Sequence, residues 1–181
     1  MQITDTLPHL ALLALLVLNN GCGDATKPED DPLGKLRILA KAGDPRAQFE
    51  LGNALRAGKE VPQDLKAAAR WYQLAAKSGF ADAQHNLGVA LDHGKGVPED
   101  DKKAVQWYLK AALQGLPGAQ FSLGRMHLFG HGTKRDPAVA ARWFRQAATE
   151  GHREAIHHLG LLHRDGLGVP RDLLQAGKFF L

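Results

Sequence analysis

An all-α fold, a solenoid of stacked helix-turn-helix units, is predicted from three observations. A block of 36 residues recurs with no insertion or deletion, each block carries two apolar patterns of helical period, and turn residues separate those patterns at fixed places. Ala47-Gln48, Leu51-Gly52, Gly58, Asp64, Trp71-Tyr72, Ala75-Ala76 and Gly79 align with Ala83-Gln84, Leu87-Gly88, Gly94, Asp100, Trp107-Tyr108, Ala111-Ala112 and Gly115. The third copy reads Ala119-Gln120, Leu123-Gly124, Gly130, Asp136, Trp143-Phe144, Ala147-Ala148 and Gly151. A fourth opens with Ala155, Leu159-Gly160, Gly166 and Asp172. Such a chain offers a long surface to a partner and seldom a single reaction centre.

Each element has its own start and stop. Asp44-Pro45 opens helix A of the first copy, an Asp cap followed by Pro in the first turn, and Ala47, Leu51, Ala54 and Leu55 keep helical spacing. A Gly-rich turn follows, clearest in Gly94-Lys95-Gly96-Val97-Pro98. Asp64, Asp100, Asp136 and Asp172 stand where an N-cap side chain accepts the free amides of helix B, and Gly79, Gly115 and Gly151 close that helix. Gly52, Gly88, Gly124 and Gly160 fall inside helix A, where Gly costs about 1 kcal/mol against Ala, so close approach of the helix B aromatic pair is expected there. Leu36, Leu39, Ala40 and Gly43 match the late half of helix B, which predicts an incoming helix covering the first repeat.

Size and charge bound the rest. At 181 residues with 44% apolar content, the chain has room for one short solenoid with a filled core. Its net charge of +4 comes from Lys and Arg scattered among Asp and Glu, without the aromatic-basic interleaving that single-stranded nucleic acid needs, so no nucleic-acid partner is expected. Residues 1–21 read as a signal peptide, because Leu10 to Leu18 is an apolar run too short to span a bilayer. Residues 22–32 are polar and Pro-rich, as a flexible linker is, and residues 33–181 hold the solenoid. Gly21-Cys22 after the apolar run resembles a bacterial lipoprotein signal, which implies lipidation at Cys22 and an exported chain, periplasmic or anchored in the envelope membrane. An ordinary cleaved signal is the alternative, since Met1 to His9 carries no Lys or Arg. A wrongly assigned start is another. Cys22 is the only cysteine, which excludes an intramolecular disulfide and a Cys-based zinc site.

The repeat motifs are similar to those of the Sel-one-like repeat (SLR) family, a relative of the tetratricopeptide repeats. The resemblance covers residues 33 to 181, with local departures: Glu60 replaces the second turn Gly, Ile156 replaces the Gln, and His127 and His163 stand where Tyr is usual. It implies a right-handed superhelix acting as a non-catalytic adaptor for other proteins, often in bacterial envelopes, with helix A lining a concave groove.

Comparison among the copies separates framework from candidate contacts. Residues 49, 53 and 56 lie one turn apart on helix A, and their identities change freely. Phe49, Asn53 and Arg56 become His85, Val89 and Asp92, then Phe121, Arg125 and Leu128, then His157, Leu161 and Arg164. This strip is the candidate surface for a partner protein or peptide. Plain solvation, or packing of its apolar members between repeats, is the alternative.

Other chemistries find less support. The chain has nine histidines, and a metal or small-ligand site in the third and fourth copies would draw on His127, His131, His157, His158 and His163. Equivalent positions in adjacent repeats are about 10 Å apart, too far for His127 and His163 to share one zinc, so no metal or other cofactor is expected. Ser78 and Ser122 are the only serines; neither begins SxxK, and GxSxG, HExxH and GxxxxGK[ST] are missing, so no catalytic residue is assigned. The fourth copy stops short at Phe179-Phe180-Leu181, and weak self-association through this apolar end is expected.

Overall fold

The computed structural model describes residues 33–180, the last by its backbone alone. The signal and linker segments, with Cys22, lie outside the described residues, as does Leu181. The helices are α1 (Gly34–Lys41), α2 (Pro45–Ala57), α3 (Leu65–Lys77), α4 (Ala81–Asp92), α5 (Asp101–Leu113), α6 (Pro117–Phe129), α7 (Pro137–Thr149), α8 (Arg153–Asp165) and α9 (Leu173–Phe180), with no strand among the described residues. Even-numbered helices are the A helices of the four copies and odd-numbered ones the B helices, α1 being the incoming cover. Each helix packs chiefly on the one before and the one after it.

The predicted caps form. Asp44 accepts from the Ala47 amide at 2.6 Å, Asp64 from Ala67 at 2.8 Å, Asp100 from Lys103 at 2.9 Å and Asp172 from Gln175 at 2.9 Å, while Asp136 takes both Ala138 and Val139 at 3.0 Å. Helix α3 closes through a left-handed Gly79, with the Phe80 amide donating to the Ala75 carbonyl and the Gly79 amide to Ala76, each at 3.1 Å. The later A helices start differently. Phe80 and Leu116 precede α4 and α6 with no side-chain cap, and at α8 the His152 Nδ1 accepts from the Ala155 amide at 3.3 Å.

Packing within a repeat turns on the helix A glycine. A Cβ at Gly88 would stand 2.6 Å from Cδ1 and Cε1 of Tyr108; at Gly52 it would be 2.6 Å from Tyr72, and at Gly124 2.5 Å from Phe144. These rings are at most 2% exposed and have no room to retreat. Only the second member of the expected aromatic pair takes this place. Trp71, Trp107 and Trp143 sit half-buried beside the core instead, since neighbouring positions on a helix point about 100° apart.

Packing between repeats depends on a buried amide. Gln48 Nε2 donates to the Ala40 carbonyl at 3.1 Å, Gln84 to Ala76 at 3.1 Å and Gln120 to Ala112 at 3.3 Å, so each A helix is pinned to the B helix before it. All three are about 5–6% exposed. Ile156 holds the corresponding place in the fourth copy and makes that joint apolar. The second turn glycine serves the same seam, since a Cβ at Gly96 would fall 2.0 Å from the Leu65 carbonyl oxygen.

Gly88→Ala should lower the unfolding free energy by up to about 2 kcal/mol, because overpacking of about 1–3 kcal/mol against a fixed ring works against a propensity gain of about 1 kcal/mol. Gly177→Ala, in α9 with nothing within 4 Å of its missing Cβ, should instead raise stability by up to about 1 kcal/mol. Urea unfolding followed by circular dichroism reads both, and the opposite signs separate close packing from propensity.

Candidate functional site

The helix A strip resolves into three rows with different surroundings. Phe49, His85 and Phe121 are half-buried among rings. Phe49 lies 6.0 Å from Tyr72 and 5.2 Å from Phe80 between ring centroids. His85 lies 5.6 Å from Tyr108, and its Nε2 is 3.2 Å from Ser122 Oγ of the next repeat. Phe121 lies 5.6 Å from Phe144, 4.7 Å from His152 and 5.3 Å from His158. The first row therefore knits helices and repeats together while showing one flank to solvent; His157, its fourth member, is exposed.

The second and third rows meet the hydroxyls of helix B. Tyr72 donates to Asn53 Oδ1 at 2.7 Å, Arg56 Nε donates to the Tyr72 oxygen at 3.2 Å, and Asn86 Nδ2 donates to Asn53 Oδ1 at 3.2 Å from the next repeat. One repeat on, Tyr108 donates to Asp92 Oδ2 at 3.1 Å. Burial pushes both phenols above their ordinary range, with the Asp92 carboxylate adding to the effect on Tyr108. In the third copy the ring is Phe144 and the third-row residue is Leu128. Loss of the hydroxyl and loss of its polar partner go together, as expected where an unpaired buried polar group costs about 1–3 kcal/mol. In the fourth copy Leu161 is half-buried, and Arg164 is exposed and paired with Asp165 at 2.7 and 2.9 Å.

These two rows open onto hollows between successive repeats. One of about 360 Å³ lies between the first and second copies and is lined by Arg56, Tyr72, Asn86, Val89 and Lys95, among others. A second of about 220 Å³ occupies the equivalent place one repeat later, with Asp92, Glu99, Asp101, Arg125 and His131 in its wall. Sequence reasoning missed the role of Asn86 and Ser122, and of the buried glutamines. For the latter the signal was available: a polar residue repeated inside an apolar stripe.

His127 and His163 do not meet the other histidines in a metal-binding group among the described residues. His127 and His163 occupy the Tyr-equivalent places with buried Nδ1 atoms that have no hydrogen-bond partner, and His163 stacks on Phe179 at 5.7 Å. Among the described residues no group of three His, Cys, Asp or Glu side chains is placed to hold a metal ion. The metal reading therefore has no donor set there. Phe179 packs against the last core cluster, so part of the apolar C-terminal end is taken up within the fold.

Burial lowers the pKa of His85 and of His127 below the ordinary 6.5, because the charged imidazolium loses its water. The unfolded chain then binds more protons than the folded one as pH falls through about 6.5, so the contribution of both residues is present above that value and lost below it. The melting temperature should fall between about pH 7 and pH 5, and His85→Asn with His127→Tyr should flatten that part of the profile. Thermal melts over the pH series read the difference.

Comparison with known proteins places this geometry. The family model for the Sel1 repeat matches residues 45–80, 81–116, 117–152 and 153–181, which are the A-plus-B units described above. No curated protein matches the sequence. Among solved structures, the chain is similar to a protective antigen of uropathogenic Escherichia coli with an SLR fold, at 40% identity and a TM-score of 0.79, over 82% of this chain and 32% of that one. It thus spans about a third of the antigen's length. A Sel1 repeat protein from Oxalobacter formigenes is 30% identical with a TM-score of 0.73, over 82% of this chain and 67% of that one. Cysteine-rich protein B of Helicobacter pylori, at 21% identity and a TM-score of 0.54, shares the fold. With four consecutive units matched and the same helix pairs stacked in the structure, this chain belongs to the Sel1 repeat family.

Proposed function

We propose that this chain is a non-catalytic adaptor of the bacterial cell envelope that binds a partner protein or peptide along the face formed by its A helices. Sel1 repeat proteins are in general scaffolds for protein interaction, without catalytic machinery of their own. The observation that carries the reading is the contrast within each repeat. Glycine, ring and glutamine recur through the first three copies, while the second-row and third-row residues change from Asn53 and Arg56 to Val89 and Asp92, then to Arg125 and Leu128. Stacking needs the first set; several members of the second set also hold a helix B phenol, but no one identity is required of them, which leaves their outer flanks to meet something else. The envelope location is supported by the apolar run before Cys22 and by likeness to an antigen of E. coli. No helix among the described residues is long and apolar enough to cross a membrane. A lipid on Cys22 is the attachment that the Gly21-Cys22 pair after the apolar run supports.

Two measurements test this. Cross-linking in the bacterial host followed by mass spectrometry should return the same partner proteins in repeated trials and lose them for Arg125→Ala with Arg164→Ala, two exposed strip residues. A chain that cross-links to nothing, or equally in both forms, would overturn the adaptor reading. Cys22→Ala should move the protein from the membrane fraction to the periplasmic extract, and unchanged fractionation would overturn lipidation.

A further inference from the structure

The two hollows between repeats are built from equivalent positions but carry opposite charge. Arg56 and Lys95 are the charged residues of the first, which has no carboxylate in its wall. In the second, Asp92, Glu99 and Asp101 face a single guanidinium, Arg125, so carboxylates outnumber the permanent cations. His93 and His131 border it, 3.9 Å from Asp92 and 3.7 Å from Asp101. At the same places between the third and fourth copies stand Leu128, Leu161 and Leu167. The first two are half-buried and Leu167 is 40% exposed, while the place of Glu99 is taken by Arg135, whose Nε is tied to the Leu128 carbonyl, so the third step is apolar but for that guanidinium.

Glu99 shows that the change is not needed for folding. Its equivalents close the end of helix A: Gln63 Nε2 donates to the Arg56 carbonyl at 2.9 Å, Arg135 Nε to Leu128 at 3.1 Å and Arg171 Nε to Arg164 at 3.1 Å. A carboxylate accepts only, so Glu99 cannot make this bond and lies in the wall of the second hollow. The second copy has given up a framework contact, and what it holds in exchange is negative charge facing solvent.

We propose that these three steps form a selectivity ladder for an extended segment of a partner protein, presenting an acidic, a basic and an apolar side chain in that order along the stack. This rests on the adaptor reading above and specifies its ligand. Successive repeats stand about 10 Å apart and an extended chain rises about 3.3 Å per residue, so the three side chains are spaced three residues apart. Each hollow has the size of one or two side chains, and the charge of each selects its occupant by attraction and by repulsion of the wrong one.

Fluorescence anisotropy with the full solenoid and labelled synthetic peptides tests the ladder. The matched peptide has Glu first, Lys fourth and Leu seventh, in either chain direction, with Ser and Gly between. The exchanged peptide swaps Glu and Lys. The matched order should bind about tenfold tighter, since the exchange turns two attractions into two repulsions, and the preference should shrink with added salt. Arg56→Glu with Lys95→Glu, both at exposed positions, should weaken the matched peptide and create binding of a third with Lys at both the first and fourth places. A gain of binding cannot come from misfolding. Equal affinity for the two orders, absence of binding to all three peptides, or binding only when the side chains are spaced seven apart as on a helix would each overturn the ladder. Partner capture by cross-linking together with order-blind peptide binding would sink the ladder and leave the adaptor standing, whereas capture of no partner would overturn both.

Discussion

The close contact between a glycine of helix A and an aromatic ring of helix B is the constraint on which the rest of the molecule depends. At Gly52, Gly88 and Gly124 the ring of Tyr72, Tyr108 or Phe144 occupies the volume that a Cβ would take. That contact sets how near the two helices lie and at what rotation, and it is made three times with nearly the same distance. A solenoid accumulates any error in its unit from one repeat to the next, so a rigid unit is what keeps the stack in register. The buried glutamines carry the register across the seams by tying each A helix to a backbone carbonyl of the B helix before it. A directional bond specifies that offset more tightly than apolar contact alone, which tolerates sliding.

Because glycine, ring and glutamine hold the framework, the rest of the A-helix surface is left open to change. The changes are correlated where they touch the interior. The phenols of Tyr72 and Tyr108 meet polar third-row residues, whereas Leu128 packs against the apolar cluster that holds Phe144. Farther out, exposed charges contribute little to stability, so their sign can alternate from one seam to the next without loss of the fold. The opposed character of the first two hollows follows from that freedom.

The fold was legible at the level of the unit. Period, caps, turn glycines and the incoming helix over residues 34–41 all came from local chemistry. The Asp caps form at the predicted residues because an N-cap needs only a carboxylate within reach of the next two or three amides. His152 escaped notice as a cap because its counterparts in the second and third copies, Phe80 and Leu116, offer no acceptor, although Asp44 in the first copy does. The candidate strip was legible as a line of variable residues, but not as three rows of different kind. Phe49, His85 and Phe121 are spaced like surface positions, yet rings arriving from helix B and from the next repeat half-bury them.

By itself, then, the sequence determined the repeat, the two helices of each unit and the residues that start and end them, because these depend on interactions within a few residues of chain. Tertiary structure alone decided which member of the aromatic pair meets the glycine, that Gln48, Gln84 and Gln120 clamp one repeat to the next, and that Arg56 shares a hollow with Lys95 and Asp92 with Asp101. Those pairings join residues on different helices or on a helix and a turn of the next repeat. They depend on the rotation and offset of packed helices, which side-chain volume and hydrogen-bond direction settle together and which no period within one helix encodes.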